Sequence, residues 1–247
     1  MRTQASALAL LTVGFMLDGC NLSPTPCLLA ESNPSGTKYL LVYYYRQGSQ
    51  TGTCTEDPAL FGQTPHFLYD ESYPSPDGGP KLVAWTPDDF AFDPNTGKPP
   101  DPTRPSIAWG RLTSIAPDPS GLCVVEGTAP AQQEIGGVLV TYDFRRVQVV
   151  GNSAVQGTEL LADVAITRGS CSAEYDALGI WPPKSCGSAA DCDPHPDPNH
   201  GRPSGSGLLP SLPVECNTGP ILGDGGGGGT CFFPDAGPAG FPFLTGS

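Results

Sequence analysis

The chain has 247 residues, 25 acidic side chains against 12 basic ones and a net charge of −13, with 29 prolines and 32 glycines. No cluster of four or more lysines and arginines occurs, so the phosphate-neutralising footprint of a nucleic-acid binder is missing. The same charge sets the chain against an anionic membrane surface, so membrane attachment requires apolar or covalent lipid contacts.

Met1-Arg2 is a short positive start, and residues 5–17, "ASALALLTVGFML", carry no charge. At about 1.5 Å per residue this run reaches about 20 Å, short of the roughly 30 Å hydrocarbon core, and it reads as the apolar region of a signal peptide. Ordinary cleavage wants small residues just before the cut, but the A-x-A at Ala5–Ala7 precedes most of the apolar run. Leu17-Asp18-Gly19-Cys20 instead resembles the lipobox of bacterial envelope lipoproteins: an aliphatic residue at −3, a small one at −1, then cysteine. Asp18 stands where that pattern usually has a small uncharged residue. The resemblance implies a diacylglycerol thioether on Cys20, cleavage before it, acylation of the new N-terminus and attachment to a membrane through the lipid. Two acyl chains, at about 0.8 kcal/mol per buried CH₂, hold a protein stably where one does not. By the same resemblance Asn21, where Asp signals inner-membrane retention in enteric lipoproteins, points to the outer membrane.

The middle of the chain is β-rich. Residues 39–46, "YLLVYYYR", read as a strand with both faces partly covered, followed by shorter candidates at 81–85, 106–112 and 122–126. Residues 138–150 alternate most clearly, with Val138, Val140, Tyr142 and Phe144 on one face and Thr141, Asp143 and Arg145 on the other. Residues 158–167 alternate likewise, and 173–181 return as a third strand, giving an antiparallel meander with one wet face. No segment predicts an amphipathic helix of ten or more residues. The expected fold class is all-β, a disulfide-stapled antiparallel sandwich or partly open barrel. The expected division is a signal peptide (1–19), a lipid-anchored tether (20–37), a β domain (38–181) and a Pro/Gly-rich, cysteine-containing C-terminal region (182–247). In that last region "GDGGGGGT" has the composition of a flexible linker.

The nine cysteines are Cys20, Cys27, Cys54, Cys123, Cys171, Cys186, Cys192, Cys216 and Cys231. With Cys20 carrying lipid, eight remain for four disulfides in an exported protein. The pairings favoured by sequence are Cys171 with Cys186, across a stretch that folds back after "IWPP", and Cys54 with Cys123. No C-x-x-C occurs, and the spacing of Cys186 and Cys192 fits no structural zinc pattern. Six residues separate Cys20 from Cys27, which caps the tether near 25 Å at roughly 3.5 Å per residue.

The sequence offers little catalytic chemistry. No G-x-S-x-G surrounds any serine, and the glycines at 223–229 match a dinucleotide fingerprint only because a glycine run matches almost anything. His195 and His200 share a loop with Asp191, Asp193 and Asp197, which reads as a solvated acidic loop because it misses the EF-hand order. Asp88-Asp89 and Asp70-Glu71 read as surface charge, since neighbours on a strand diverge. Tyr43, Tyr44, Tyr45 and Trp85 read as core rather than as a binding face. No metal or cofactor is expected. The reading that follows is a non-catalytic binding or structural module on the envelope, for a protein or polysaccharide ligand. The alternatives are a secreted hydrolase with a carboxylate site and a soluble secreted binding module.

Overall fold

The long alternating stretch at 138–150 sets the architecture. It forms a thirteen-residue strand that pairs on both sides, in a computed structural model that describes residues 26–27, 38–61, 66–91, 103–150, 159–181, 183–201, 206, 208, 214–217 and 229–233. The elements in order are β1 (Tyr39–Tyr45), β2 (Thr51–Gly52), the single turn α1 (Pro58–Phe61), β3 (His66–Tyr73), β4 (Leu82–Pro87), the single turn α2 (Asp88–Ala91), β5 (Ala108–Leu112), β6 (Leu122–Ala129), β7 (Ala131–Ile135), β8 (Val138–Val150), β9 (Glu159–Arg168) and β10 (Cys171–Ile180). Three short strands follow: β11 (Ser185–Cys186), β12 (Glu215–Asn217) and β13 (Gly229–Phe232).

The sheet runs β1-β3-β4-β5-β6-β8-β9-β10, every pair antiparallel, and β10 pairs back onto β1 from Leu40↔Ile180 to Tyr45↔Tyr175. The pairing therefore closes into an eight-stranded ring, which resolves the expected choice between sandwich and partly open barrel. Eight strands leave an interior that side chains just fill. Pro130 has no N–H to give a ladder and divides β6 from β7. The two pieces lie along opposite halves of β8. A register shift between Phe144 and Arg146 resets the alternation of β8. Val140, Tyr142 and Phe144 point inward before it, and Val147 and Val149 after it, so the strand stays apolar inside along most of its length.

Inside the ring, Tyr39, Leu41, Tyr43, Leu68, Trp85, Tyr142, Phe144, Leu160 and Tyr175 belong to one core. Towards the Cys27 end the outer face of β1, β9 and β10 is apolar too. Leu40, Val42, Leu161, Leu178 and Ile180 are covered by Cys186, Cys192, Leu208, Cys231 and Phe233 from the C-terminal region. The wet outer face expected for this meander is thus dry over part of three strands, and Arg46, Asp163, Glu174 and Asp176 keep the remainder charged. The C-terminal region forms a small sheet, β11-β13-β12, and the last glycine of the run, Gly229, opens a strand rather than extending a linker.

The disulfides are Cys27–Cys123, Cys54–Cys171, Cys186–Cys216 and Cys192–Cys231. Both pairings favoured by sequence are overturned. Cys171 opens β10 and Cys186 follows its far end, about 30 Å away along an extended strand. Gly52 lies in register with Cys171 and brings Cys54 beside it. Cys123, the second residue of β6, lies at the opposite end of the barrel from Cys54, where it meets Cys27 instead. The N–H of Cys27 also donates to the Ile115 carbonyl at 2.7 Å. The barrel thus has a Cys27 end, where β1, β6 and β9 start, and an opposite end capped by Phe61.

Candidate functional site

At the Phe61 end several chain segments place polar groups among the aromatic rings. His66 is the first residue of β3, and Pro87 ends β4 so that α2 turns Asp88 and Asp89 over the mouth. Tyr142 comes from β8, and Arg168 is the last residue of β9. Donor atoms of His66, Asp88 and Asp89 lie within 4.8 Å of one another. The Tyr142 hydroxyl donates to Asp89 Oδ2 at 2.6 Å. Arg168 Nη2 is 3.6 Å from the same oxygen, and its guanidinium lies 5.0 Å over the Phe61 ring. His66 stacks on Phe61 at 4.3 Å and meets Tyr43 edge-on at 5.2 Å, while its Nε2 is 3.1 Å from the Phe61 carbonyl.

Burial governs the electrostatics. The Asp88 carboxyl is pushed up to about 7, first by desolvation, then by the charge of Asp89 and a hydrogen bond with it. The Phe67 N–H and the charge of Lys38 act in the opposite sense. Burial lowers the His66 imidazole below its ordinary value. It raises the Tyr43 and Tyr142 phenols well above theirs, with the charge of Asp89 adding to both. Two adjacent carboxyl groups that hydrogen-bond each other hold a proton between them more readily than two charges.

A cavity of about 190 Å³ opens beside this cluster. Phe61, Ile166, Ala173 and Tyr175 form its apolar wall, residues 55–58 its lip, and Arg168 belongs to both wall and cluster. The Cys54–Cys171 disulfide borders it, and the Tyr175 hydroxyl donates to the Pro58 carbonyl at 3.1 Å, which ties α1 across the mouth.

The expectation that Asp88-Asp89 is surface charge is overturned. The pair lies in a helical turn, not on a strand, and that turn folds both side chains toward His66 and Tyr142. Asp70, also expected at the surface, is fully buried, on the same parity of β3 as His66 and Leu68. Tyr43 and Trp85 are core, as expected, and Tyr44 flanks the outer core. His195 stays exposed with Asp193 at 2.8 Å, and the two do not join the barrel cluster. Cys186, Cys192 and Cys231 lie close together, but each is in a disulfide and offers no thiolate. Cys27, Cys54, Cys123, Cys171, Cys186, Cys192, Cys216 and Cys231 are all paired, and Cys20 lies outside the described residues. Sequence reasoning missed His66, Tyr142 and Arg168 as site residues. The available signal was parity at Arg168, which occupies an inward position at the mouth end of a strand otherwise apolar inside; His66 had no such frame, since β3 also turns Asp70 inward.

No curated protein and no solved structure matches the chain. One family model, MlpA, matches residues 37–182. That span begins just ahead of β1 and ends just past β10, so it contains the whole ring and the mouth cluster. On that match, which covers more than half of its length, the chain belongs to the MlpA family.

Proposed function

We propose that this is a lipid-anchored protein of the bacterial envelope whose barrel is a non-catalytic binding module. In this reading the membrane is reached through lipid on Cys20, at the outer membrane, and the ligand is a protein or polysaccharide met at the Phe61 mouth. The observation that carries it is the placement of Cys27. This residue is joined to Cys123 and Ile115 at one end of the barrel, and the cavity opens at the other. A tether of six residues from Cys20 to Cys27 then holds the Cys27 end against the bilayer and turns the mouth outward. The pairing of the other eight cysteines supports assigning Cys20 to lipid, and MlpA membership is compatible with it.

Metabolic labelling with a fatty-acid analogue tests the anchor. The wild type is expected to carry label and to partition into detergent. Cys20→Ala is expected to lose both. An unlabelled wild type recovered in the soluble fraction would sink the reading.

A further inference from the structure

We propose that His66, Asp88 and Asp89 form a binding site for a first-row divalent cation, with Zn²⁺ as the fitting ion, at the mouth of the barrel. The donor set is one imidazole and two carboxylates, held on β3 and α2 with donor atoms within 4.8 Å of one another. Donors around a tetrahedral ion at about 2.0–2.2 Å stand about 3.4 Å apart, so closing the site takes shifts on the order of 1 Å. Imidazole with carboxylate suits Zn²⁺ and its neighbours, whereas calcium and magnesium select oxygen alone. Three protein donors leave a coordination position open, and the cavity beside Arg168 adjoins it.

Contacts outside the donor set point the same way. A metal-bound imidazole commonly donates its other ring N–H to a backbone carbonyl or carboxylate, which fixes the tautomer. His66 Nε2 lies 3.1 Å from the Phe61 carbonyl, on a different element, and donation there leaves the Nδ1 lone pair for an ion. Ligating carboxylates are themselves held by hydrogen bonds. Asp89 receives the fully buried Tyr142 hydroxyl at 2.6 Å, and Asp88 accepts from the Phe67 N–H. Phe61, Tyr43 and Phe90 surround the cluster with apolar surface, which strengthens a charge contact by excluding water. The site does not depend on lipid at Cys20.

The test is titration calorimetry of the full chain, purified in detergent and stripped with chelator, with Zn²⁺ alone as probe and Mg²⁺ as comparison. One Zn²⁺ per chain is expected, with a rise in melting temperature and at least a hundredfold preference over Mg²⁺. Asp88→Asn is nearly isosteric and is expected to weaken Zn²⁺ at least a hundredfold. His66→Ala is expected to do the same. Tyr142→Phe is expected to weaken it about 10–100-fold, the range for an outer-shell partner. His195→Ala is expected to change nothing, which separates the mouth from the exposed Asp193–His195 pair. If His66→Ala does not fold by circular dichroism, Asp88→Asn decides. No heat of binding in the wild type, or full affinity retained in Asp88→Asn, overturns the proposal.

Discussion

The molecule has two cores held together by different means. Inside the ring, a single cluster of aromatic and branched side chains is enclosed by eight mutually hydrogen-bonded strands. Outside it, a smaller cluster on β1, β9 and β10 is covered by strands of two to four residues joined by two disulfides. The inner core closes through its backbone and needs few cross-links. The outer one has too little regular structure to hold itself and relies on covalent bonds. Each region carries two disulfides, so the shorter C-terminal one is cross-linked more densely, in line with its shortage of buried apolar surface.

The comparison breaks most directly at Phe144, which is fully buried and 6.0 Å from the Trp85 ring. Phe144→Ala is expected to cost about 3–5 kcal/mol in denaturant unfolding and to abolish the whole transition together. A loss confined to the C-terminal region would show that the inner core is not the one that governs folding. Next in size is the double change Cys192→Ser with Cys231→Ser, which opens a loop of 39 residues and is expected to cost about 2–4 kcal/mol. Limited proteolysis should then cut beyond residue 182 while the strand signal in circular dichroism persists. Simultaneous collapse of both regions would mean that the outer core is part of the barrel's cooperative unit.

A smaller effect is expected at the seam between β5 and β6. A Cβ on Gly110 would meet Thr128 Cγ2 and Val125 Cγ1 at 2.9 Å, so Gly110→Ala should cost about 1–3 kcal/mol by thermal unfolding. The last effect is set by pH rather than by packing, and concerns a polar edge of the inner core at Asp88. The Asp88 carboxyl has a folded-state value of about 7 against about 4 in the unfolded chain. Its contribution to stability is therefore full below pH about 4 and is lost as pH rises through about 7. Stability measured with chelator present should fall over that window, and Asp88→Asn should flatten the fall. Burial of His66 acts oppositely, its contribution being lost as pH drops below the ordinary imidazole value. An unchanged pH slope in Asp88→Asn would place the titrating group elsewhere.

Much of the ring was legible, either from the two-residue alternation, as in "VLVTYDFRRVQVV", or from a continuous apolar run covered on both faces, as in "YLLVYYY". β3 was not, because His66 and Asp70 take inward positions usually read as apolar. Closure of the ring was equally hidden, since nothing local says that the tenth strand returns to the first. The outer core escaped because Leu161, Leu178 and Ile180 look like ordinary strand residues until a cover is found for them. The mouth cluster was misread for a geometric reason. Asp88 and Asp89 diverge on a strand but converge in a turn, and only the fold decides which they are. Disulfide partners were the least legible of all, because they depend on which end of a strand each cysteine occupies.

The order of those partners bears on how the chain matures. None of the four disulfides joins cysteines that are consecutive in the described chain: Cys27 skips Cys54, Cys54 skips Cys123, Cys186 skips Cys192 and Cys192 skips Cys216. A chain threaded through a membrane N-terminus first and oxidised as it emerges would join Cys27 to Cys54 and Cys123 to Cys171, and every such bond is wrong. Native bonding therefore requires either that the ring close before oxidation or that thiol–disulfide exchange reshuffle the early products. Yield of correctly bonded protein should accordingly depend on isomerase activity more than on oxidant supply.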